Sequence, residues 1–368
     1  MDRAGALPLR GAPHSKLRVA LDAGPLLDPH TGVGRYTREL GTALESQGVT
    51  VTRFAIALGG RAVAGVKRVR FPARLARIMW HRLGGPSVTL LTGPTDVVHG
   101  TNFVLPASGS VPGVVTVHDL SFLRSGAFPG AARLKSLVDW STRRAACVIV
   151  PSRAVGHEVA DEYPHAADRI SVTPEGVASV FFGASPLSDT ALARMGIRRP
   201  FVLATGTDAP RKNLQRLLDA WTSAGDAVGD WMLVLAGPRG WGPRLAATEN
   251  VRTLGWVGDE TLPGLMAAAD LFCFPSSYEG FGLPPLEAMA AGTPVLVGSY
   301  PAAREVLGDA AFEIDALDMQ AFSEALVGLI SDEQLRQRFQ IKGRSQAAQF
   351  TWDQTAIATT QAYRIALG

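Results

Sequence analysis

The feature that most constrains this chain is its alternation of short apolar runs with Gly- or Pro-marked turns and helical patterns. LRVALDAG, VTRFAIAL, DVVHG, GVVTVHD, CVIVPS, FVLATGT, WMLVLAG, LFCFPSS and PVLVGS each read as a strand, and most lead into a stretch of helical spacing. Parallel strands need a crossover between them, so this pattern predicts an α/β fold with parallel sheets. At about 150 residues per domain, 368 residues make two domains. A hydrophobic content of 46% with 19% charged residues supplies ample core. No apolar run approaches the roughly 20 residues needed to span a bilayer. The opening MDRAGALPLRGAPHSK has no sustained apolar segment, so residues 1–15 read as a loose tail, neither secretory signal nor anchor.

Chemistry concentrates at strand ends. In FCFPSSYEGFGLPPLEAMAAGTPVLVG, residues 272–298, two carboxylates flank a bend. Glu279 is placed just past a buried strand, and Glu287 in the first turn of the next helix, with Pro285 at its first position. Gly280 and Gly282 let the backbone approach a ligand, and the helix start offers free N–H groups to an anion. In FVLATGTDAPRKNLQRLLDAW, Arg211 and Lys212 fall in a loop after a strand, Asn213 can cap the helix, and Leu214, Leu217, Leu218 and Trp221 form its apolar face. Cations there suit a diphosphate, Arg as a bidentate fork and Lys as a point charge. His118, in VHDLSF, ends a parallel strand at the edge where α/β clefts take ligands. Asp119 can orient it or contact an acceptor, and His99 is a weaker second candidate. A Gly-rich loop with Gly32 and Gly34 has Thr37 where a dinucleotide fingerprint needs a third Gly, which argues against a dinucleotide site.

The Glu-x7-Glu spacing with G-F-G-L-P inside it and E-A-M-A-x-G-x-P-V after it resembles the signature of the retaining glycosyltransferases of family 4. The R-K-N loop and VHDLSF are similar to that family's phosphate-binding and His-containing segments. The resemblance implies the GT-B fold, two Rossmann-like domains with parallel sheets facing across a cleft. It divides the chain into an acceptor-side domain (16–180), a linker (181–200), a nucleotide-sugar domain (201–350) and a C-terminal helix (351–368) crossing back to the first domain. It assigns Glu279 to donor sugar hydroxyls, Glu287 to the ribose, Arg211 and Lys212 to the diphosphate, and His118 to the reacting bond. Gly32, Gly34 and Arg35 lie near the donor phosphates or acceptor, Trp256 and Val257 by the base, and Gly280, Phe281, Gly282 and Leu283 along the donor. Pro174-Glu175-Gly176 departs from the family's P-N-G turn.

The implied activity is transfer of a hexose to a hydroxyl of a glycan or lipid-linked acceptor. The pattern is most similar to compact mannosyltransferases using GDP-mannose, with UDP-glucose as the alternative donor. A sugar-nucleotide epimerase or a non-catalytic sugar-nucleotide-binding protein on the same scaffold remain rival readings. No D-x-D motif is present, so neither metal nor cofactor is expected.

Net charge is +3, but residues 1–180 hold 21 basic against 13 acidic side chains and the remainder 15 against 20. The basic half suits an anionic partner. Within residues 61–84, Arg74, Arg77 and Arg82 interleave with Leu75, Ile78, Met79, Trp80 and Leu83, a pattern suited to peripheral contact with an anionic membrane. No nucleic-acid partner is expected. Cys147 and Cys273 lie far apart in separate apolar runs, which fits two free thiols in a reducing cytoplasm, at or near the inner membrane face.

Overall fold

The computed structural model describes residues 16–28, 31–60, 62–124, 130–240 and 250–368; the tail expected over residues 1–15 lies outside them. The first sheet comprises β1 (Arg18–Asp22), β2 (Thr50–Ile56), β3 (Val66–Val69), β4 (Val97–Gly100), β5 (Gly113–Thr116), β6 (Cys147–Val150) and β7 (Ile170–Val172). The second comprises β8 (Phe201–Thr205), β9 (Met232–Ala236), β10 (Val251–Gly255), β11 (Leu271–Phe274), β12 (Val295–Gly298) and β13 (Phe312–Ile314). Their orders are β3-β2-β1-β4-β5-β6-β7 and β10-β9-β8-β11-β12-β13, with every pairing parallel. Helices cover both faces, so β4, β5, β6, β8, β9, β11 and β12 are buried throughout, as their unbroken apolar runs require. The expected α/β architecture is what forms.

Each sheet grows outward from its centre and reverses direction once, between β1 and β4 and between β8 and β11. Helices on opposite faces leave a crevice outside the strand ends at such a reversal, and there open α/β sheets bind ligands.

The chain passes between the sheets twice, and the two crossings touch. Val177 N–H donates to Phe350 O at 3.0 Å, and Gly176 lies so close to the Thr351–Trp352 backbone that any Cβ would overlap it. Short helices, Ser179–Phe182 and Asp189–Arg194, occupy the first crossing. The last helix, Trp352–Leu367, returns to the first sheet, where Trp352, Ala356 and Tyr363 share a core with Val19, Tyr36, Leu40 and Val114.

Two local expectations change. Asn213 stands at the start of helix Leu214–Ala224 with φ +52°, but its side chain donates to Pro275 O at 3.0 Å and does not cap. His99 is a strut and no site residue: Nδ1 meets Tyr363 Oη at 2.7 Å and Nε2 meets Thr116 Oγ1 at 2.8 Å. Burial pushes its imidazole down to about 3, so it stays neutral. Cys147 and Cys273 are free and buried, in different sheets.

Replacing Tyr363 by Phe removes one partner of a buried imidazole nitrogen, so unfolding free energy in denaturant should fall by about 1–3 kcal/mol. An unchanged midpoint would show that the strut carries no load.

Candidate active site

The C-terminal ends of the two sheets face a cleft of about 420 Å³, within the usual size of a small-molecule site. His118, Asp119, Gly32 and Arg35 approach from the first sheet. Arg211, Lys212, Trp256, Val257, Glu279, Gly280, Phe281, Gly282, Leu283 and Glu287 approach from the second. Gly34 does not line it. Residues 32–34, expected in a loop, form the first turn of helix Gly32–Ser46, capped by Thr31 Oγ1 accepting Gly34 N–H at 3.1 Å. Gly34 instead packs beneath the carbonyls of Pro25 and Asp28.

Glu279 follows β11 and is 9% exposed. Lys212 Nζ lies 2.6 Å and Arg211 Nη1 2.8 Å from the same carboxylate oxygen. Arg211 also donates to Tyr278 O at 2.9 Å, and Lys212 Nζ sits 4.7 Å above the Phe274 ring. Burial alone would raise the Glu279 carboxyl, but the two cations hold it below the usual range. Each cation that suits a diphosphate is therefore already paired with the carboxylate that suits sugar hydroxyls.

The helix carrying Glu287 spans Leu283–Ala291 and starts after Gly282 at φ +101°. Pro285 is third in it, not first, because the first four helical N–H groups have no intrahelical partner and a proline there sacrifices no bond. Glu287 consequently lies in the second turn, 2% exposed, ion-paired to Arg35. Arg35 also reaches Asp259 at 2.9 Å, as does Arg38. Arg35 thus joins the two domains across the cleft.

Gly280 lines the cleft and also lies against the other domain. A Cβ there would run into the His118 carbonyl, and Ser152 Oγ donates to Gly280 O at 2.7 Å, so its missing side chain makes room for the first domain as well. Gly282 similarly faces the Tyr300 hydroxyl.

His118 is clamped on both nitrogens. Nε2 meets Thr101 O at 2.8 Å and Nδ1 meets Glu175 Oε1 at 3.2 Å. The Thr101 carbonyl can only accept, so Nε2 donates, and the Glu175 carboxylate beside Nδ1 favours a proton there as well. Burial lowers its affinity for the proton, but Glu175, with the Thr101 carbonyl and Asp119, more than offsets this and raises it above the ordinary value. The Tyr36 ring meets it edge-on at 4.7 Å.

Two family models match the chain: "Glycosyltransferase Family 4" over residues 30–179 and "Glycosyl transferases group 1" over residues 195–346. O-antigen chain mannosyltransferase B of Escherichia coli is 30% identical, with 95% of this chain and all of that protein covered. The chain belongs to the family 4 glycosyltransferases. MMP alpha-(1->4)-mannosyltransferase of Mycolicibacterium hassiacum is 27% identical over 81% of this chain and 75% of its own. Among solved structures, sucrose-phosphate synthase from Thermosynechococcus elongatus superposes with a TM-score of 0.76 at 20% identity, covering 95% of this chain and 98% of that one. WaaG, a glycosyltransferase involved in lipopolysaccharide biosynthesis, gives 0.72 at 19%, covering 95% and 99%. These share the GT-B fold.

A family 4 glycosyltransferase takes a nucleotide sugar and a glycan acceptor, and its cleft here holds two groups not picked out from sequence. Glu175, 7% exposed, favours the protonated form of His118. Its one sequence signal was Glu in place of the family's turn Asn. Asp259 anchors Arg35 and Arg38, and no local pattern marks it.

Because the folded His118 pKa is raised, its stabilising contribution is full below the ordinary histidine value of about 6.5 and is lost as pH rises through the raised value. In Glu175→Gln, NMR titration should place His118 below its wild-type pKa, and the loss of stability between acid and neutral pH should shrink. An unshifted titration would contradict the clamp.

Proposed function

We propose that this glycosyltransferase transfers mannose from GDP-mannose to a hydroxyl of a glycan or lipid-linked acceptor, with retention of configuration and without a metal. The observation that carries the reading is the buried contact of Arg211 and Lys212 with Glu279 at the reversal point of the second sheet. A donor diphosphate takes over the two cations, and Glu279, released, accepts hydrogen bonds from sugar hydroxyls. Glu287 takes the ribose hydroxyls. The bond from the sugar C1 to the diphosphate oxygen breaks as the bond to the acceptor oxygen forms on the same face. The departing phosphate collects the acceptor proton, and Arg211 and Lys212 stabilise the charge it develops. His118 donates Nε2–H to the Thr101 carbonyl and its other nitrogen faces Glu175, so neither nitrogen is free to serve as the base, and Glu175 favours the protonated ring. Mannose is favoured by the names of the related mannosyltransferases.

Release of nucleoside diphosphate from GDP-mannose, UDP-glucose, UDP-galactose and UDP-N-acetylglucosamine, with and without a pool of sugar and lipid acceptors, tests the reading. Acceptor-stimulated release from GDP-mannose in EDTA is expected. Release from a UDP-sugar instead, full loss in EDTA, or interconversion of free nucleotide sugars would overturn the corresponding part. Arg211→Ala and Lys212→Ala should each weaken donor binding about ten- to a hundredfold, one charge-assisted hydrogen bond each.

Peripheral membrane contact is part of the same proposal. No helix among the described residues is long and apolar enough to cross a bilayer, but helix Ala73–Leu83 exposes Leu75, Ile78 and Leu83 beside Arg74, Arg77 and Arg82. Co-sedimentation with anionic vesicles at low ionic strength, lost at high salt, is expected; failure to bind at low salt would remove it.

A further inference from the structure

The reversal point of the second sheet carries the donor-side residues, whereas that of the first sheet, between β1 and β4, has had no role assigned. A separate cavity of about 170 Å³ opens there, lined by Asp22, Phe54, Arg77, Trp80, Asn102 and Val104 among others. Asp22 is the last residue of β1, and Asn102 lies two residues past the end of β4. The placement therefore repeats, in the first domain, the geometry by which open sheets present ligand-binding groups.

Two polar groups in this cavity call for a ligand. Asn102 Oδ1 is buried with no hydrogen-bond partner, a destabilising condition that needs an explanation in a folded protein. Asp22 accepts the Gly24 N–H at 2.9 Å on one oxygen and forms no ion pair among the described residues. Burial raises its carboxyl, opposed by that N–H and by the charge of Arg77, which lies exposed at the rim. Trp80 and Phe54 give apolar walls; Trp80 spends its own N–H on Pro86 O.

The chemistry of the lining selects the ligand class. A carboxylate and an amide oxygen both accept hydrogen bonds, so the ligand offers several donors. The Asp22 charge disfavours a phosphate or carboxylate guest, and the unmet amide disfavours a hydrocarbon one. The volume, well under the roughly 300 Å³ at which drug-sized sites begin, admits one ring. A neutral polyhydroxylated ring with an apolar face meets all of these conditions.

The cavity is tied to the cleft through one residue. Thr101 Oγ1 donates to Asp22 O at 2.7 Å, while Thr101 O accepts from His118 Nε2 at 2.8 Å. Thr101 therefore stands between the cavity and the His118 ring.

We propose that this cavity is a subsite for a pyranose ring of the acceptor, held by Asp22 and Asn102 with Arg77 at its mouth. The inference rests on the glycosyl-transfer reading and deepens it: the acceptor presents a neutral sugar, whatever carries that sugar beyond the protein.

The test is saturation-transfer NMR of the full chain with the methyl α-glycosides of mannose, glucose, galactose and N-acetylglucosamine, in the presence of saturating GDP or UDP. Binding of at least one glycoside is expected. Asn102→Leu, which fills the cavity with an apolar side chain, should weaken it about tenfold or more, and Arg77→Ala several-fold, with nucleoside diphosphate affinity unchanged in both. Glu279→Gln should leave glycoside binding intact, which separates this cavity from the donor sugar position. If Asn102→Leu loses nucleoside diphosphate binding through misfolding, the exposed Arg77→Ala decides. Absence of glycoside binding to the wild type, or binding indifferent to both substitutions, would overturn the subsite. The first of these with nucleoside diphosphate still bound leaves the donor site standing. Glycoside binding lost in the variants, in a protein that turns over no nucleotide sugar, would support the cavity's ligand and remove the transfer reading beneath it.

Discussion

One buried carboxylate shared by two cations governs the rest of the site. Glu279, held by Lys212 and Arg211 at the end of β11, cannot be stripped of its partners cheaply, because an uncompensated buried charge costs about 3–5 kcal/mol. A ligand that supplies only anion, or only hydroxyls, leaves one side of the contact unpaired. A nucleotide sugar supplies both in one molecule, so every charge exchanges a partner and none loses one. On the proposed reading, selectivity for that class of ligand follows from this shared contact.

The same economy shapes the domain interface. The floor of the cleft is where the two domains touch, with Gly280 against the His118 carbonyl and Ser152 on the Gly280 carbonyl. Arg35 closes the rim by binding Glu287 and Asp259 of the second domain. Tyr278, one residue before Glu279, accepts the Leu120 N–H at 2.9 Å and donates to Glu158 at 2.5 Å in the first domain. Groups that would hold the donor are thus one residue away from, or identical with, groups that hold the domains together. Binding and domain placement are linked through shared side chains.

Much of this was legible in the sequence, and the failures have a common cause. Strand ends, buried apolar runs and the cations at 211–212 are local patterns fixed by period and turn chemistry, and they appear where expected. Pro285 was misplaced by two positions because a proline is tolerated anywhere among the first unpartnered N–H groups of a helix. Gly34 was read as ligand-facing, whereas its missing Cβ makes room for the carbonyls of Pro25 and Asp28, and Gly280, which does line the cleft, also makes room for the His118 carbonyl. Asn213 has the identity of a cap, but its left-handed backbone and the bond its side-chain N–H donates to Pro275 O across the loop leave its oxygen without a helix N–H to accept. Glu175, Asp259, Asp22 and Asn102 gain meaning only from partners distant in the chain, which no local spacing reveals.

The exchange of partners at Glu279 is the central claim, and calorimetric titration of Glu279→Gln with GDP and with GDP-mannose tests it most directly. If the carboxylate serves the sugar and competes for the cations, the substitution weakens GDP-mannose by about tenfold or more while GDP binds as tightly as to the wild type or more so. Loss of both ligands by the same factor would contradict the account, leaving Glu279 a scaffold for Arg211 and Lys212 with no part in holding the sugar.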